Sequence, residues 1–494
     1  MALLEAAPAP HPARARVFTA ALIVLALASL DGNVVGPALP RIVSDLGGLS
    51  QLSWVVTAFA VASTAATPLY GRLSDRFGRK AGLAAAILIF VVGSMFCGAA
   101  HAMHGLIAAR ALQGVGAGGL IMLAQTSVAD VIPPRERPRY QGYMTGVFGV
   151  SSVAGPLIGG AITDWLSWPW IFYVNLPVGA IALGMILTTP STSRPAASRR
   201  FDFLGFGLTI AATCTLLLAL SWGGAVFPWF SPVILGLGGF TVLAAGILVV
   251  VEHRVPEPAI PPHLLAEPVI GRAILAISLT IVAMFAGLVF VPLFFQLVHN
   301  ASATEAGLRT APIMAGVIAA SVLGGRAVSR TGKMKPFPLA GLALSTLTFA
   351  LMAWLMHRGG DVNLFDGLLV LLGGGLGLVM PNLTTAIQNA APAHEMGVAM
   401  ATTSFFRSLG GAFGVAVAGM LLSLGIRSVH LPQGVDAAQA GLSQLQGLPA
   451  AQHATVILAY ADAIGLIFAV CAVVSAATFF IVLTIPERPL RTTL

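Results

Sequence analysis

Three ionisable side chains, Asp31, Arg110 and Arg407, stand inside stretches of sequence that are otherwise apolar. A charge held at mid-bilayer costs about 3 kcal/mol unless it is paired or faces water, so each marks a place where chemistry or a buried pair is expected. Asp31 lies about 12 Å from one end of its apolar stretch, and Arg110 about 8 Å from the matching end of its own, which gives them similar depth. In a bundle that turns both helices toward one cavity they could pair, or exchange a proton and a substrate for one another. A sealed setting penalises the carboxylate whereas a guanidinium stabilises it, so alternation between wet and sealed states would drive protonation and release. A static buried ion pair that fixes packing is the competing expectation. Arg407 lies about 15 Å into its stretch with no obvious acidic partner in the second half of the chain; a carbonyl, a helix end or an anionic group on a substrate would satisfy it.

Other chemistry is thin. The ten histidines avoid the middle of the apolar stretches, and the His101/His104 spacing falls in a short turn without a carboxylate or cysteine beside it. Gly114-Val-Gly116-Ala-Gly-Gly119 is close to a dinucleotide pattern but follows no strand, and no Walker sequence exists. Cys97, Cys214 and Cys471 all fall in apolar runs and read as packed thiols. No nucleophile and base stand in a usable arrangement, so the expectation is no catalytic residue, no metal, no cofactor and no enzyme.

The elements that must position these charges follow from composition. Of 494 residues 57% are apolar and 9% charged, far below the quarter or so that water-facing surfaces carry. Apolar runs of about 20 residues recur along the whole length, enough for roughly 14 crossings of a bilayer. The expected fold class is therefore an all-α polytopic membrane protein. Its divisions are a cytoplasmic N-terminus (1–16), a six-helix bundle (17–190), an inserted helix pair (204–252), a second six-helix bundle (273–485) and a cytoplasmic C-terminus (486–494). Basic clusters at Arg72/Arg76/Arg79/Lys80, Arg135/Arg137/Arg139, Arg194/Arg199/Arg200 and Arg326/Arg330/Lys333/Lys335 fall on one side of that plan, with Arg41, Arg309, Arg358 and Arg427 opposite. That bias places both termini inside. Bases scattered between apolar runs exclude a nucleic-acid partner.

Two segments carry further information. Gly71-Arg72-Leu73-Ser74-Asp75-Arg76-Phe77-Gly78-Arg79 reads as a tight basic connection between helices, and Gly325-Arg326-Ala327-Val328-Ser329-Arg330-Thr331-Gly332-Lys333 repeats it after the tenth span. Equivalence of the second and tenth spans is what parallel halves require. In the fifth span small residues at 142, 146, 149, 151, 152, 155, 159 and 160 predict one nearly flat face that lets another helix approach, with a kink at Pro156. Trp54, Phe59, Met284, Phe285, Phe405 and Phe406 suit a large amphipathic ligand, and Asn382 adds hydrogen-bonding capacity.

Gly71 to Lys80 resembles the loop signature of the major facilitator superfamily. Arg110-Ala-Leu-Gln113-Gly114-Val-Gly116 resembles the fourth-span motif of proton-coupled members, and Gly142, Gly155, Pro156, Gly159 and Gly160 resemble the antiporter motif, with Ser151 in place of a glycine. Leu30-Asp31-Gly-Asn33-Val-Val-Gly36-Pro37 is similar to the first-span motif of fourteen-span drug:proton antiporters, the EmrB/QacA type; Asn33, Gly36 and Pro37 depart from its usual residues. Phe295-Gln296, Glu305-Ala-Gly307 and Phe406-Arg407-Ser-Leu-Gly410-Gly411 look like the same branch.

The resemblance implies alternating access and export of small amphipathic drugs or metabolites in exchange for protons, in a bacterial inner membrane. It implies proton coupling at Asp31 and Arg110, and a conformational switch at Gly71, Asp75, Arg76, Gly78 and Arg79. Substrate contacts would come from Asn33, Trp54, Phe59, Gln113, Met284, Phe285, Asn382, Phe405 and Arg407. The partners implied are the lipid bilayer and, as for some relatives, a periplasmic adaptor protein; a monomer suffices. A uniporter or lipid exporter not driven by protons is the alternative within transport, and a membrane-embedded enzyme or receptor the alternative outside it.

Overall fold

The computed structural model describes residues 11–48, 51–189, 202–224, 226–255, 258–298, 301, 303–357, 362–426 and 450–490. The expected clusters at Arg194, Arg199 and Arg200, the opposing Arg358 and Arg427, and most of the two chain ends lie outside the described residues. Among the described residues, fourteen helices are long and apolar enough to cross a bilayer: α1 (Arg14–Leu46), α2 (Leu52–Phe77), α3 (Arg79–Gly98), α4 (Met103–Val131), α5 (Arg137–Trp165), α6 (Trp170–Thr188), α7 (Phe203–Trp222), α8 (Pro232–Glu252), α9 (Pro268–Gln296), α10 (Glu305–Thr331), α11 (Pro336–Met356), α12 (Leu364–Ala390), α13 (Ala393–Ile426) and α14 (Thr455–Leu483). Helices are what a lipid solvent demands, because each satisfies its backbone within its own segment.

The helices overrun the lengths that hydropathy alone suggests. α1 continues past Pro37 and Pro40 to Leu46. α2 runs to Phe77, so Gly71 to Phe77 is not a loop but the last turns of a helix. The whole connection to α3 is Gly78, at φ 91° and ψ 148°, a conformation open to glycine because no Cβ obstructs it. The repeated segment is built alike: Gly325 to Thr331 ends α10, and Gly332 turns at φ 72°.

Packing partners reveal the two halves. α1 packs on α4, α5 and α6, α4 packs on α2 and α3, and α3 on α6; adding eight to each number gives contacts that are also present, α9 on α12, α13 and α14, α12 on α10 and α11, and α11 on α14. The halves meet where α2 packs on α13 and where α5 packs on α10, a pair of contacts that the same shift interchanges. α7 and α8 pack on each other, and α7 leans on α2 and α13.

Among the described residues the apolar cores of the halves join at one level. A single apolar core runs through both on the side that carries the N-terminus, from Val17 and Leu120 to Ile387, Met400 and Val482. Toward the opposite side the core divides, one part wholly in the first half around Val34, Leu106 and Phe172, the other wholly in the second around Phe295, Phe349, Phe365 and Phe468. The apolar core is therefore shared by the halves on the terminal side and separate within each half on the other.

Candidate functional site

Asp31 sits on α1, Arg110 and Gln113 one turn apart on α4, Ser94 on α3 and Asn175 on α6, and the helix packing brings all five together. Asp31 Oδ2 accepts from Arg110 Nη1 at 3.0 Å, and Oδ1 accepts from Gln113 Nε2 and Asn175 Nδ2, each at 2.7 Å. Gln113 Oε1 accepts from the same Arg110 Nη1 at 2.6 Å, while Ser94 Oγ accepts from Gln113 at 2.7 Å and from Asn175 at 3.2 Å. Arg110 Nε donates to the Val55 carbonyl at 3.2 Å, and its guanidinium lies 4.1 Å from the Phe59 ring centre and 5.8 Å from that of Phe172. Asp31 and Arg110 are each 2% exposed. A cavity of about 70 Å³ between α1, α5 and α6 touches Asp31 and Asn175 and is otherwise apolar. At this level of burial, a carboxylate is tolerable only with its oxygens bonded, which is what the four helices supply.

A second constellation closes the terminal side. Asp75 Oδ1 and Oδ2 accept from the backbone N–H groups of Gly397 and Val398, each at 3.0 Å, so a carboxylate on α2 caps the first turn of α13 in the other half. Arg79 Nη1 donates to Asp75 at 2.8 Å and its Nε to Asp130 at 2.6 Å, which ties α2, α3 and α4 to that cap. Arg137 at the start of α5 donates to the Ala129 and Ile132 carbonyls at 2.6 and 3.0 Å, and across the halves to Gln388 at 3.1 Å. Helices touch backbone to backbone here: a Cβ on Gly71 would stand 2.5 Å from that of Ala401, and one on Gly142 the same distance from the Ser321 carbonyl. The equivalent seam between α5 and α10 lacks the acid, since Ser329 occupies the place of Asp75 and its hydroxyl has no partner. Arg76 is half-buried beside Phe77, 5.3 Å from the ring centre.

The expected flat face of α5 is two faces. Gly142 and Gly149 meet Ser321 and Ile318 of α10, whereas Gly155 and Gly159 meet Asn33 and Val34 of α1. Six residues separate Gly149 from Gly155, a rotation of about 240° at 100° per residue, so one stripe cannot serve both neighbours. Pro156 is exposed and Gly160 faces open space.

The remaining candidates scatter. Asn33 bonds the Ser29 carbonyl at 2.6 Å and packs on Gly155. Trp54 stacks edge-on against Trp222 of α7 at 5.4 Å, apart from the Asp31 network. Phe59 joins that network under Arg110. Met284 packs on the second-half core, Phe285 on the same helix is 40% exposed, and Phe405 is buried beside Phe406. Asn382, 1% exposed, donates to the Leu378 carbonyl at 2.6 Å while its Oδ1 has no partner. Arg407 donates to Ser404 Oγ at 3.4 Å. Sequence reasoning missed Ser94 and Asn175; the one signal was a lone amide in the apolar sixth span. Among the described residues no three His, Cys, Asp or Glu side chains gather closely enough to hold a metal.

Two repeated bundles joined at one level, with paired charges sealed inside one of them, define a secondary transporter. The Major Facilitator Superfamily model matches residues 21–415, and the chain belongs to that superfamily. It is 38% identical to an uncharacterised MFS-type transporter of Mycobacterium tuberculosis, over 99% of this chain and 72% of the relative. It is 35% identical to the multidrug transporter protein MdtP of Bacillus subtilis, over 83% of this chain and 75% of that one. Among solved structures, the human organic anion transporter MFSD10 matches with a TM-score of 0.66 at 18% identity, covering 95% of this chain and 99% of that one. The proton:xylose symporter XylE matches with a TM-score of 0.65 at 15% identity over 98% of both. The chain is thus a multi-pass membrane protein of the major facilitator fold.

Proposed function

We propose that this chain exports small amphipathic compounds, drugs or metabolites, across a bacterial inner membrane by alternating access, driven by protons moving inward through Asp31. The reading is of a carrier and not an enzyme. The observation that carries it is the Asp31–Arg110 pair: one carboxylate inside the first half, bonded by three side chains from two other helices. In the state described here the pair is sealed, and the halves share their core and their hydrogen bonds on the terminal side. With both termini cytoplasmic, as the basic clusters favour, this is a state closed toward the cytoplasm. Opening toward the cytoplasm would break the Asp75 and Arg137 contacts between halves. Bundle rearrangement would then loosen the Asp31 network, and a proton on Asp31 would release Arg110. Inward proton flow supplies about 1.4 kcal/mol per pH unit and about 2.3 kcal/mol per 100 mV, so the cycle needs no nucleotide. Similarity to a multidrug transporter supports the export of drug-like cargo. In this reading 17–190 and 273–485 are the moving units, 204–252 is an inserted pair, and a monomer, with or without a periplasmic adaptor, completes the cycle.

The test is reconstitution of the Asp31→Asn variant in proteoliposomes with an imposed pH gradient. Loss of gradient-driven transport with the helical content and melting temperature retained supports the reading; undiminished gradient-driven transport sinks it. A second reading, a carrier not driven by protons, draws on the complete bonding of both Asp31 oxygens, which suits a permanent tie. Wild-type flux that ignores the pH gradient would establish it instead.

A further inference from the structure

Four arginines within the spans are met by groups of the protein itself. Arg79 has Asp75 and Asp130, Arg110 has Asp31, and Arg309 has Asp366 at 2.9 Å. Arg137 has three backbone carbonyls. Arg407 differs: among the described residues it forms no ion pair, and its hydrogen bond is the long one to Ser404. It lies near the middle of α13, about 21 Å along from Ala393 at 1.5 Å per residue, where an uncompensated guanidinium is costly.

Its direction follows from its neighbours on the helix. Gly410 and Gly414 let α9 approach through Ser278 and Val282, whereas Gly397 and Ala401 pack on α2 across the seam. At 100° per residue Arg407 lies within about 60° of the first pair and about 80–120° from the second, on the arc between α9 and the other half. Ala401 is the last α13 residue buried in the core the halves share and Phe406 still packs against it, so Arg407 stands at the edge of that core. One turn on, Gly411 lies beside the 40%-exposed ring of Phe285. The carboxylates of the central helices have no charge to spare for this wall, since Asp31 and Asp75 each accept three donors and Asp130 holds Arg79.

We propose that Arg407 anchors an anionic group on the transported compound, with Phe285 covering an adjoining ring, so that the cargo class is amphipathic organic anions. This deepens the export reading and rests on it for the direction of transport only. A carboxylate or sulfonate would complete the guanidinium's bonding in the way the protein completes Arg79 and Arg110.

The test uses two fluorescent probes with one ring system and opposite charge, dansylglycine and dansylcholine. In proteoliposomes with an imposed pH gradient, wild-type protein should move dansylglycine; Arg407→Gln should reduce that flux about tenfold or more, the size of one charge-assisted bond. Arg407→Lys should keep a substantial part of it. Equal dansylglycine flux in Arg407→Gln and wild type, or wild-type flux of dansylcholine alone, overturns the proposal. A binding arm on purified wild-type protein keeps the question separate from transport and from any folding defect of the variants. Bound dansylglycine should be displaced by 1-naphthalenesulfonate and not by naphthyltrimethylammonium; equal displacement by both overturns the proposal. If neither probe is transported while the binding arm discriminates charge, the export reading fails and the anion site stands.

Discussion

Asp75 and Gly397 belong to different halves of the molecule, yet the carboxylate of one accepts the backbone N–H of the other at 3.0 Å, and the neighbouring Val398 N–H bonds its second oxygen at the same distance. A helix N-terminus carries unmet donors and a partial positive charge, so an acid from the opposite half is a favourable cap. Opening of the terminal side would separate the two groups, so on the export reading proposed above Asp75 serves as a latch for the closed conformation.

Replacing Asp75 with Asn should weaken the closed state by about 1.5–3 kcal/mol, the range for hydrogen bonds to a charged group. Spin labels attached through cysteines at Glu136 and Lys333, both exposed, would read the separation of the two halves on the terminal side. A broader, longer distance distribution in Asp75→Asn is expected; an unchanged one would remove the latch.

Gly142→Val tests the other seam. A Cβ there would stand 2.5 Å from the Ser321 carbonyl, and backbone cannot move aside as a flexible side chain can. The variant should fold, because the clash arises only when α5 and α10 close, but should show the opened distance distribution and little transport. Wild-type transport by Gly142→Val would show that the seam tolerates a side chain.

Gln113 is the hub of the buried network, donating to Asp31 and Ser94 and accepting from Arg110. Gln113→Ala leaves donors and acceptors unpaired in a dry site, which costs about 1–3 kcal/mol each. A clear drop in melting temperature in detergent is expected, larger than that from Ser152→Ala on the surface of α5, whose hydroxyl bonds only the Phe148 carbonyl.

Arg110→Gln alone leaves Asp31 without its counter-charge and should destabilise the protein by about 3–5 kcal/mol, whereas the double variant Asp31→Asn/Arg110→Gln should recover much of that loss. Flux measurements separate structure from coupling. If the double variant is stable and still concentrates its cargo against a gradient when a pH difference is imposed, the pair is a structural tie and coupling lies elsewhere.

Sequence and structure part company at identifiable residues. Asp31 and Arg110 were legible because a charge in an apolar run is costly, and their equal depth followed from counting residues at a fixed rise. Asn175 was not legible as a partner: an amide is cheap enough in a helix to pass for an incidental residue until packing of α6 on α1 and α3 brings it to the acid. Trp54 is a different case: the sequence offers it as a ligand surface, and the structure leaves it half-buried with one edge against Trp222 of α7, a neighbour that no local pattern names.

Hydropathy and charge by themselves determined the all-helical membrane fold and the fourteen crossings, because the cost of burying polar groups in lipid is a property of each segment alone. Tertiary structure decided which helix faces which. That Asp75 caps α13 and that α5 turns its glycines to two neighbours both depend on contacts between segments more than a hundred residues apart. No local pattern encodes those distances; they are set when two cores pack into one on the terminal side and separate beyond it.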